Sequence, residues 1–129
     1  MKRNIVILIL LITVLSGCAV IGGAKYRYRK IAEGLHGTWE ESGGTIYKIE
    51  VMDELVNIIS IVDSDGEAFE VQETKWEEGI LSWTYLVPST EYVVNMHSTA
   101  ITEDTIICDW QNDYAEGSET LTKISDVIE

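Results

Sequence analysis

The chain has 129 residues, with 22 acidic side chains against 9 lysines and arginines, so its formal net charge at pH 7 is −13. This length allows one small domain with a single hydrophobic core. The negative charge argues against nucleic acid as a partner and leaves a cationic protein, a cationic peptide or a metal ion, although net charge does not determine the fold.

The N-terminal segment has the pattern of a secretory signal. Lys2 and Arg3 precede an apolar run over residues 5–14, which is shorter than the roughly 20 apolar residues of a transmembrane helix. The following Leu15-Ser16-Gly17-Cys18 resembles the lipobox of bacterial lipoproteins, in which the cysteine is diacylated and becomes the new N-terminus. This resemblance implies that residues 1–17 are a signal peptide and that Cys18 is lipidated. An uncleaved membrane anchor is the alternative.

The same resemblance implies a location. Two or more acyl chains, at about 0.8 kcal/mol per buried methylene group, attach a protein stably to a membrane. In lipoproteins an aspartate after the cysteine favours the inner membrane, whereas here Ala19 follows Cys18. We therefore expect a lipid anchor in the cell envelope, in the outer membrane and facing the periplasm if the host has two membranes.

Residues 18–35 are predicted to form a basic tether between the lipid and the domain. All of the acidic residues lie from Glu33 onward, so the charge of the chain is segregated. A basic tether suits anionic lipid headgroups, with a contribution of about 1 kcal/mol per base near the surface; a tether that is merely solvated is the alternative. Its bases alternate with tyrosines: Lys25, Tyr26, Arg27, Tyr28, Arg29 and Lys30.

Residues 36–124 show period-two alternation broken by turn residues, which predicts an all-β domain. The connections are short, so strands that are neighbours in sequence should pair antiparallel. An eight-stranded meander removes its exposed edges by closing into an up-and-down barrel. Residues 125–129 are predicted to be a tail. The predicted strands are 38–41, 45–51, 55–62, 67–76, 80–87, one that begins at 92, 105–111 and 118–124.

Two short motifs at the ends of this domain carry a family resemblance. Gly37-Thr38-Trp39 opens the first strand and Leu121-Thr122-Lys123 lies on the last, a pattern that resembles the lipocalin and calycin barrels. The resemblance implies that Trp39 closes one end of the barrel and that Lys123 packs on its indole face, a contact that contributes about 0.5 to 2 kcal/mol. It also implies a non-catalytic protein that holds a small apolar or amphipathic molecule.

Other candidate chemistry in the sequence is weak. His36 and His97 have no partners at metal-ligand spacing, so no zinc site is predicted. Cys108 alternates with apolar residues and is expected to be a buried, unreactive thiol. Residues 63–67 hold three carboxylates, but their pattern is more typical of a hairpin turn than of a calcium loop. We find no nucleophile motif and predict neither catalysis nor a cofactor.

Two functions therefore remain as hypotheses. The first is a membrane-anchored, lipocalin-like lipoprotein that binds a small apolar or amphipathic ligand at a mouth lined by Tyr47, Trp83, Tyr85 and Tyr92. The second is an acidic interaction module that binds a cationic protein, as an inhibitor or a structural envelope protein. In the second case the aromatic rings fill the barrel, because an eight-stranded barrel is only just wide enough for side chains.

Overall fold

The structure is a computed structural model that describes residues 25–128. It contains one helix, α1 (residues 25–35), followed by eight β-strands. The strands are β1 (Gly37–Glu41), β2 (Ile46–Met52), β3 (Leu55–Val62), β4 (Glu70–Glu77), β5 (Ile80–Val87), β6 (Tyr92–Ile101), β7 (Thr105–Gln111) and β8 (Glu116–Ser125).

All eight strands belong to one antiparallel sheet in the order β3-β2-β1-β8-β7-β6-β5-β4. First and last strands are therefore neighbours, with Trp39 of β1 opposite Lys123 of β8. This arrangement confirms the predicted all-β fold with an up-and-down order, and it is consistent with a lipocalin-like barrel.

The barrel is nearly, but not fully, closed, because β3 and β4 do not form a continuous ladder. Near the turn that joins them, Val62 and Ala68 form one isolated bridge and the Phe69 amide donates to the Ile61 carbonyl at 2.8 Å. Further along, the two strands meet through the Thr74 hydroxyl, which accepts a 3.5 Å hydrogen bond from the Ile58 amide. The sequence of β4, EVQETKWE, is mostly polar and exposed, as is typical of an edge strand.

Alternate residues of the strands point inward and fill the barrel. The completely buried side chains include Trp39, Trp83, Tyr47, Leu35, Ile49, Ile61, Leu81, Ile106, Leu121 and Cys108. Close packing of such large side chains is the expected filling of an eight-stranded barrel. The burial of Cys108 agrees with its expected role as a small core residue.

Two strand boundaries differ by more than one residue from the sequence-based prediction, for local reasons. The fourth strand begins at Glu70 and not at residue 67, because the Asp63 carboxylate accepts hydrogen bonds from the amides of Asp65 and Glu67 and holds the segment in a turn. The last strand begins at Glu116 and not at residue 118, because Asn112 closes a tight turn that lets the ladder begin earlier.

Helix α1 was not predicted, since its sequence is dominated by the bases of the tether. Its buried positions, Ala32 and Leu35, recur at helical spacing and pack against the core. The Trp39 indole donates a 2.9 Å hydrogen bond to the Leu35 carbonyl, which ties the end of α1 to β1. The helix thus covers one end of the barrel. Within residues 25–128, no helix is long and apolar enough to cross a membrane.

Candidate functional site

The two ends of the barrel both carry acids but differ in their basic residues. One end is covered by α1, and we call the other the distal end, defined by residues 41–45, 63–69, 88–91 and 112–119. These segments connect or end the strands opposite the helix. They contain no lysine, arginine or histidine, whereas α1 carries four bases. The acids of the distal end are Glu41, Asp63, Asp65, Glu67, Glu91, Asp113, Glu116 and Glu119.

Two of these acids point into the barrel. Glu41 lies two residues beyond the completely buried Trp39 on β1, and it is paired with the buried Leu121 of β8. Glu119 lies two residues before Leu121 and opposite the buried Cys108 of β7. Since side chains alternate along a strand, both carboxylates share the inward face.

The environment of Glu41 disfavours its ionised form. Burial, followed by the negative charge of Glu119, raises the pKa of Glu41 from 4.5 to about 7, although a hydrogen bond from Tyr47 opposes the rise. The Ser42 hydroxyl donates to Glu119 at 2.9 Å. Two acids are therefore held close together at one mouth of the barrel, where one of them is partly protonated at neutral pH.

Below the two acids lies a group of polar aromatic side chains. The Tyr47 hydroxyl is 3.4 Å from Met96 Sδ, and the Tyr47 and Trp83 rings pack edge to face with centroids 5.7 Å apart. Burial raises the pKa of Tyr47 and of Tyr85 well above the ordinary tyrosine value, and the charge of Glu41 adds to both shifts. Both hydroxyls therefore stay protonated and act as neutral hydrogen-bonding groups.

Trp83 has the one buried side-chain polar atom without a hydrogen-bond partner among the described residues, its Nε1. The side chain is 2 % exposed, and it lies next to the Tyr47 hydroxyl. A buried donor without a partner costs about 1–3 kcal/mol. The Tyr47 hydroxyl oxygen is an acceptor within its reach, since an interaction with Trp83 opposes the rise in the pKa of Tyr47.

The fourth residue predicted to line a mouth, Tyr92, lies at the rim of the distal end. It is 43 % exposed, and its ring lies 5.2 Å from that of Tyr114, which is 77 % exposed. The two tyrosines, with Glu91 and Asp113, line a cleft of about 210 Å³ that we call the rim cleft. Its full lining is Thr90, Glu91, Tyr92, Val93, Asn112, Asp113 and Tyr114.

The predicted closing pair lies at the other end, next to α1. Lys123 Nζ is 5.5 Å from the centroid of the Trp39 ring and donates to the Gly34 carbonyl at 2.8 Å. It also pairs with Asp126 at 2.8 Å, and this contact lowers the pKa of that exposed carboxylate. The lysine therefore links the first strand, the last strand and the helix. A surface cleft of about 500 Å³ lies beside it and opens to solvent.

The remaining candidate groups have structural partners. His36 Nδ1 accepts a 3.0 Å hydrogen bond from the Val51 amide, and His97 lies 3.9 Å from Asp109 on the surface. Burial raises the pKa of the Cys108 thiol to about 12. Within residues 25–128 no group of histidine, cysteine, aspartate and glutamate side chains is arranged to hold a metal ion. The signal peptide and the lipidated Cys18 lie outside the described residues.

Three features described above were not found from the sequence: α1, the pair formed by Glu41 and Glu119, and the rim tyrosine Tyr114. The sequence did indicate that both acids of the pair face inward. Glu41 lies two residues after Trp39, and Glu119 lies two residues before Leu121, on predicted strands. No pattern in the sequence indicated Tyr114, since it lies in a turn.

No protein family, no curated protein and no solved structure matches this chain.

Proposed function

We propose that this chain is a membrane-anchored, non-catalytic binding protein of the cell envelope, and that its distal end holds a basic segment of a protein partner. The observation that carries the proposal is the rim cleft. Its two exposed tyrosines and its two flanking acids form a concave surface with aromatic faces and negative charge. Lysine and arginine side chains bind such faces through cation–π contacts, and acids strengthen these contacts.

The distribution of charge supports the same proposal. The four bases of α1 lie at the opposite end, next to the predicted lipid anchor, and all four, Lys25, Arg27, Arg29 and Lys30, are exposed. Arg29 forms an ion pair with Glu54, which fixes the helix to the β2–β3 turn. With the bases of α1 against an anionic membrane, the distal end points away from the surface and is free to meet a partner.

The lipocalin-like alternative, a small apolar ligand inside the barrel, has less support. Two of the residues predicted to line a mouth, Tyr47 and Trp83, are packed into the core, and Tyr85 is 8 % exposed. Their rings fill the space that an apolar ligand would need. The interaction module, with a filled barrel, is thus the function that the geometry favours.

The proposal is tested by titrating the full-length protein, in uncharged nanodiscs, with a peptide of ten lysines. A distal triple variant, Glu91→Gln, Asp113→Asn and Glu116→Gln, is compared with a triple variant at the helix end, Glu77→Gln, Glu78→Gln and Glu103→Gln. Both remove the same charge, so general attraction to an acidic protein changes equally.

We expect the distal variant to bind about tenfold more weakly at about 50 mM salt, because each exposed charge pair contributes about 0.2–1 kcal/mol. The helix-end variant should lose less than about threefold. Equal losses in the two variants would mean that the peptide is held by net charge alone, and the proposal would be wrong.

A further inference from the structure

The gap between β3 and β4, which we call the seam, exposes two strand edges to each other. Strand β3 pairs with β2 and strand β4 pairs with β5, so each has one edge that faces the seam. Within the described residues, the two edges share no ladder beyond the isolated bridge near their turn. The Ile58 amide points into the seam and donates to the Thr74 hydroxyl at 3.5 Å, which is a long hydrogen bond to a side chain in place of a backbone partner.

The edge of β3 lacks the residues that usually protect a free edge. Natural edge strands carry charged residues or proline, which discourage pairing with another chain. The sequence of β3, LVNIISIV, contains neither. Two of its side chains are apolar and exposed, Leu55 at 74 % and Ile59 at 44 %. An unprotected edge of this kind is a template for an extended polypeptide, which adds to the sheet through its backbone hydrogen bonds.

A cleft of about 390 Å³ lies along the seam and gives access to this edge. Its lining includes Ile58 and Ile59 on one side and Phe69, Val71 and Thr74 on the other. The volume is within the range of sites that hold ligands, about 300–1,000 Å³. The free edge therefore has room beside it, and much of the wall of that room is apolar.

The charge of β4 indicates what kind of strand fits. Alternate residues of β4 face outward and are exposed, while Val71 and Trp76 face inward, opposite buried residues of β5. The outward-facing charged residues are Glu70, Glu73, Lys75 and Glu77. They carry a net negative charge, whereas β3 has no charge at all. Opposite charges on neighbouring strands stabilise a sheet. A strand in the seam would thus meet apolar side chains on its inner face and negative charge on its outer face.

We infer that the seam binds an extended segment of a protein partner, in which apolar and basic residues alternate, as an additional strand beside β3. The backbone of this segment accepts the hydrogen bond of the Ile58 amide in place of the Thr74 hydroxyl. Its apolar side chains lie in the cleft, and its basic side chains lie beside the acids of β4. The strands separate at low cost, because few hydrogen bonds join them. The seam is separate from the rim cleft, so this inference goes beyond the proposed function.

The test uses short basic peptides and the full-length protein in uncharged nanodiscs, at about 50 mM salt. The alternating peptide is Lys-Val-Lys-Val-Lys-Val-Lys. The block peptide, Lys-Lys-Val-Val-Val-Lys-Lys, has the same composition and charge, and both are capped at each end. Two further forms of the alternating peptide carry backbone N-methyl groups, one on its valines and one on its lysines, so that each lacks donors along one edge. Affinities are measured for all four, and amide hydrogen exchange is followed in β3.

We expect the alternating peptide to bind about tenfold more tightly than the block peptide and to slow amide exchange in β3. As a strand, the block peptide would place a lysine on the apolar side of the seam, and burial of an unpaired charge is costly. At least one of the N-methylated peptides should bind about tenfold more weakly than the alternating peptide, because backbone hydrogen bonds supply much of the affinity of an added strand.

A pair of double variants tests the role of charge in the seam. Glu70→Gln with Glu73→Gln should weaken the alternating peptide about threefold to tenfold, because it removes two outward acids of β4. Glu40→Gln with Glu103→Gln removes the same charge from exposed positions outside the seam, and should weaken the peptide less than about twofold.

A pair of single variants tests the role of the Ile58 amide. Thr74→Val should strengthen the alternating peptide about threefold, because it removes the hydroxyl that competes for this amide. The control is Thr84→Val, which removes an exposed hydroxyl from β5 that bonds to Asn95, and it should leave the affinity unchanged.

The inference is overturned if the alternating and block peptides bind alike, if neither N-methylated peptide binds more weakly, or if exchange in β3 does not slow. It is also overturned if the distal triple variant abolishes the advantage of the alternating peptide, since the rim cleft would then hold that peptide. Exchange in β3 that slows with rising protein concentration, without peptide, would mean that a second copy of the chain occupies the seam, and would overturn it as well. None of these results affects the proposed function, which is tested with the peptide of ten lysines.

Discussion

Replacing Glu41 by glutamine should make the protein more stable, but only above mildly acidic pH. In the folded state burial and the charge of Glu119 raise the pKa of Glu41 from 4.5 to about 7. The native state thus binds this proton more tightly than the unfolded chain does, so Glu41 lowers the free energy of unfolding progressively as pH rises from about 4.5 to about 7. Above that range the free energy of unfolding is lowered by the full amount, and a glutamine at this position, which does not ionise, does not lower it in this way.

The magnitude follows from the pKa change. At about 1.4 kcal/mol per pKa unit the rise corresponds to at most about 3.5 kcal/mol. Since Glu41 is only partly buried, solvent screening reduces the expected effect to about 1–2 kcal/mol at pH 8, and to nearly zero at pH 4.5.

Urea unfolding of both proteins at a series of pH values measures this difference. Glu40→Gln is the matched control, because Glu40 is the adjacent residue of the same strand and is exposed. It removes the same charge without relieving a buried one, so its effect should change little with pH. If the curves of the two variants coincide, Glu41 is not held in an unfavourable site, and the account of its buried environment is wrong.

Three further predictions concern the rest of the structure. Lys123→Met should lower the free energy of unfolding, measured in urea titrations, by about 2 kcal/mol, because it removes a charged hydrogen bond and a cation–π contact. Asp126→Asn should leave the unfolding midpoint unchanged, because that carboxylate is exposed. Gly79→Ala should make α1 more sensitive to limited proteolysis, because the new Cβ would lie 2.7 Å from a tyrosine ring of the helix. Gly66→Ala, at a similar positive φ but in open space, should not change the cleavage of α1. Equal cleavage of α1 in the two variants would contradict the packing of α1 against Gly79. Cys108 should resist iodoacetamide in the folded protein and react only after unfolding, as mass spectrometry would show, because burial raises the pKa of its thiol to about 12.

The barrel was predictable from sequence because its strands alternate cleanly. Leu81, Trp83 and Tyr85 on β5 are buried, with more polar residues between them, and four of the seven turns contain glycine or proline. The neighbours of each strand followed from the short connections. What alternation does not encode is how far the sheet curls, so the incomplete pairing of β3 and β4 became visible only in three dimensions.

The site was harder to predict because its residues come together only through contacts between segments that are distant in the sequence. In the sequence, Glu41 has the pattern of an ordinary polar residue at the end of a strand. In the fold, β8 places Glu119, which lies 78 positions later in the chain, beside it. The helix was missed because its buried face is small and is formed only when the barrel end exists to cover it. Tertiary packing, and not local propensity, makes this helix stable.

The most direct measurement of the central claim is amide hydrogen exchange of the full-length protein in nanodiscs, with and without the peptide of ten lysines. We expect that the peptide slows amide hydrogen exchange in the four distal segments, 41–45, 63–69, 88–91 and 112–119. Exchange in the turns beside α1 should change little. Protection spread evenly over the acidic surface, or confined to the helix end, would contradict the claim that the distal end is the binding surface.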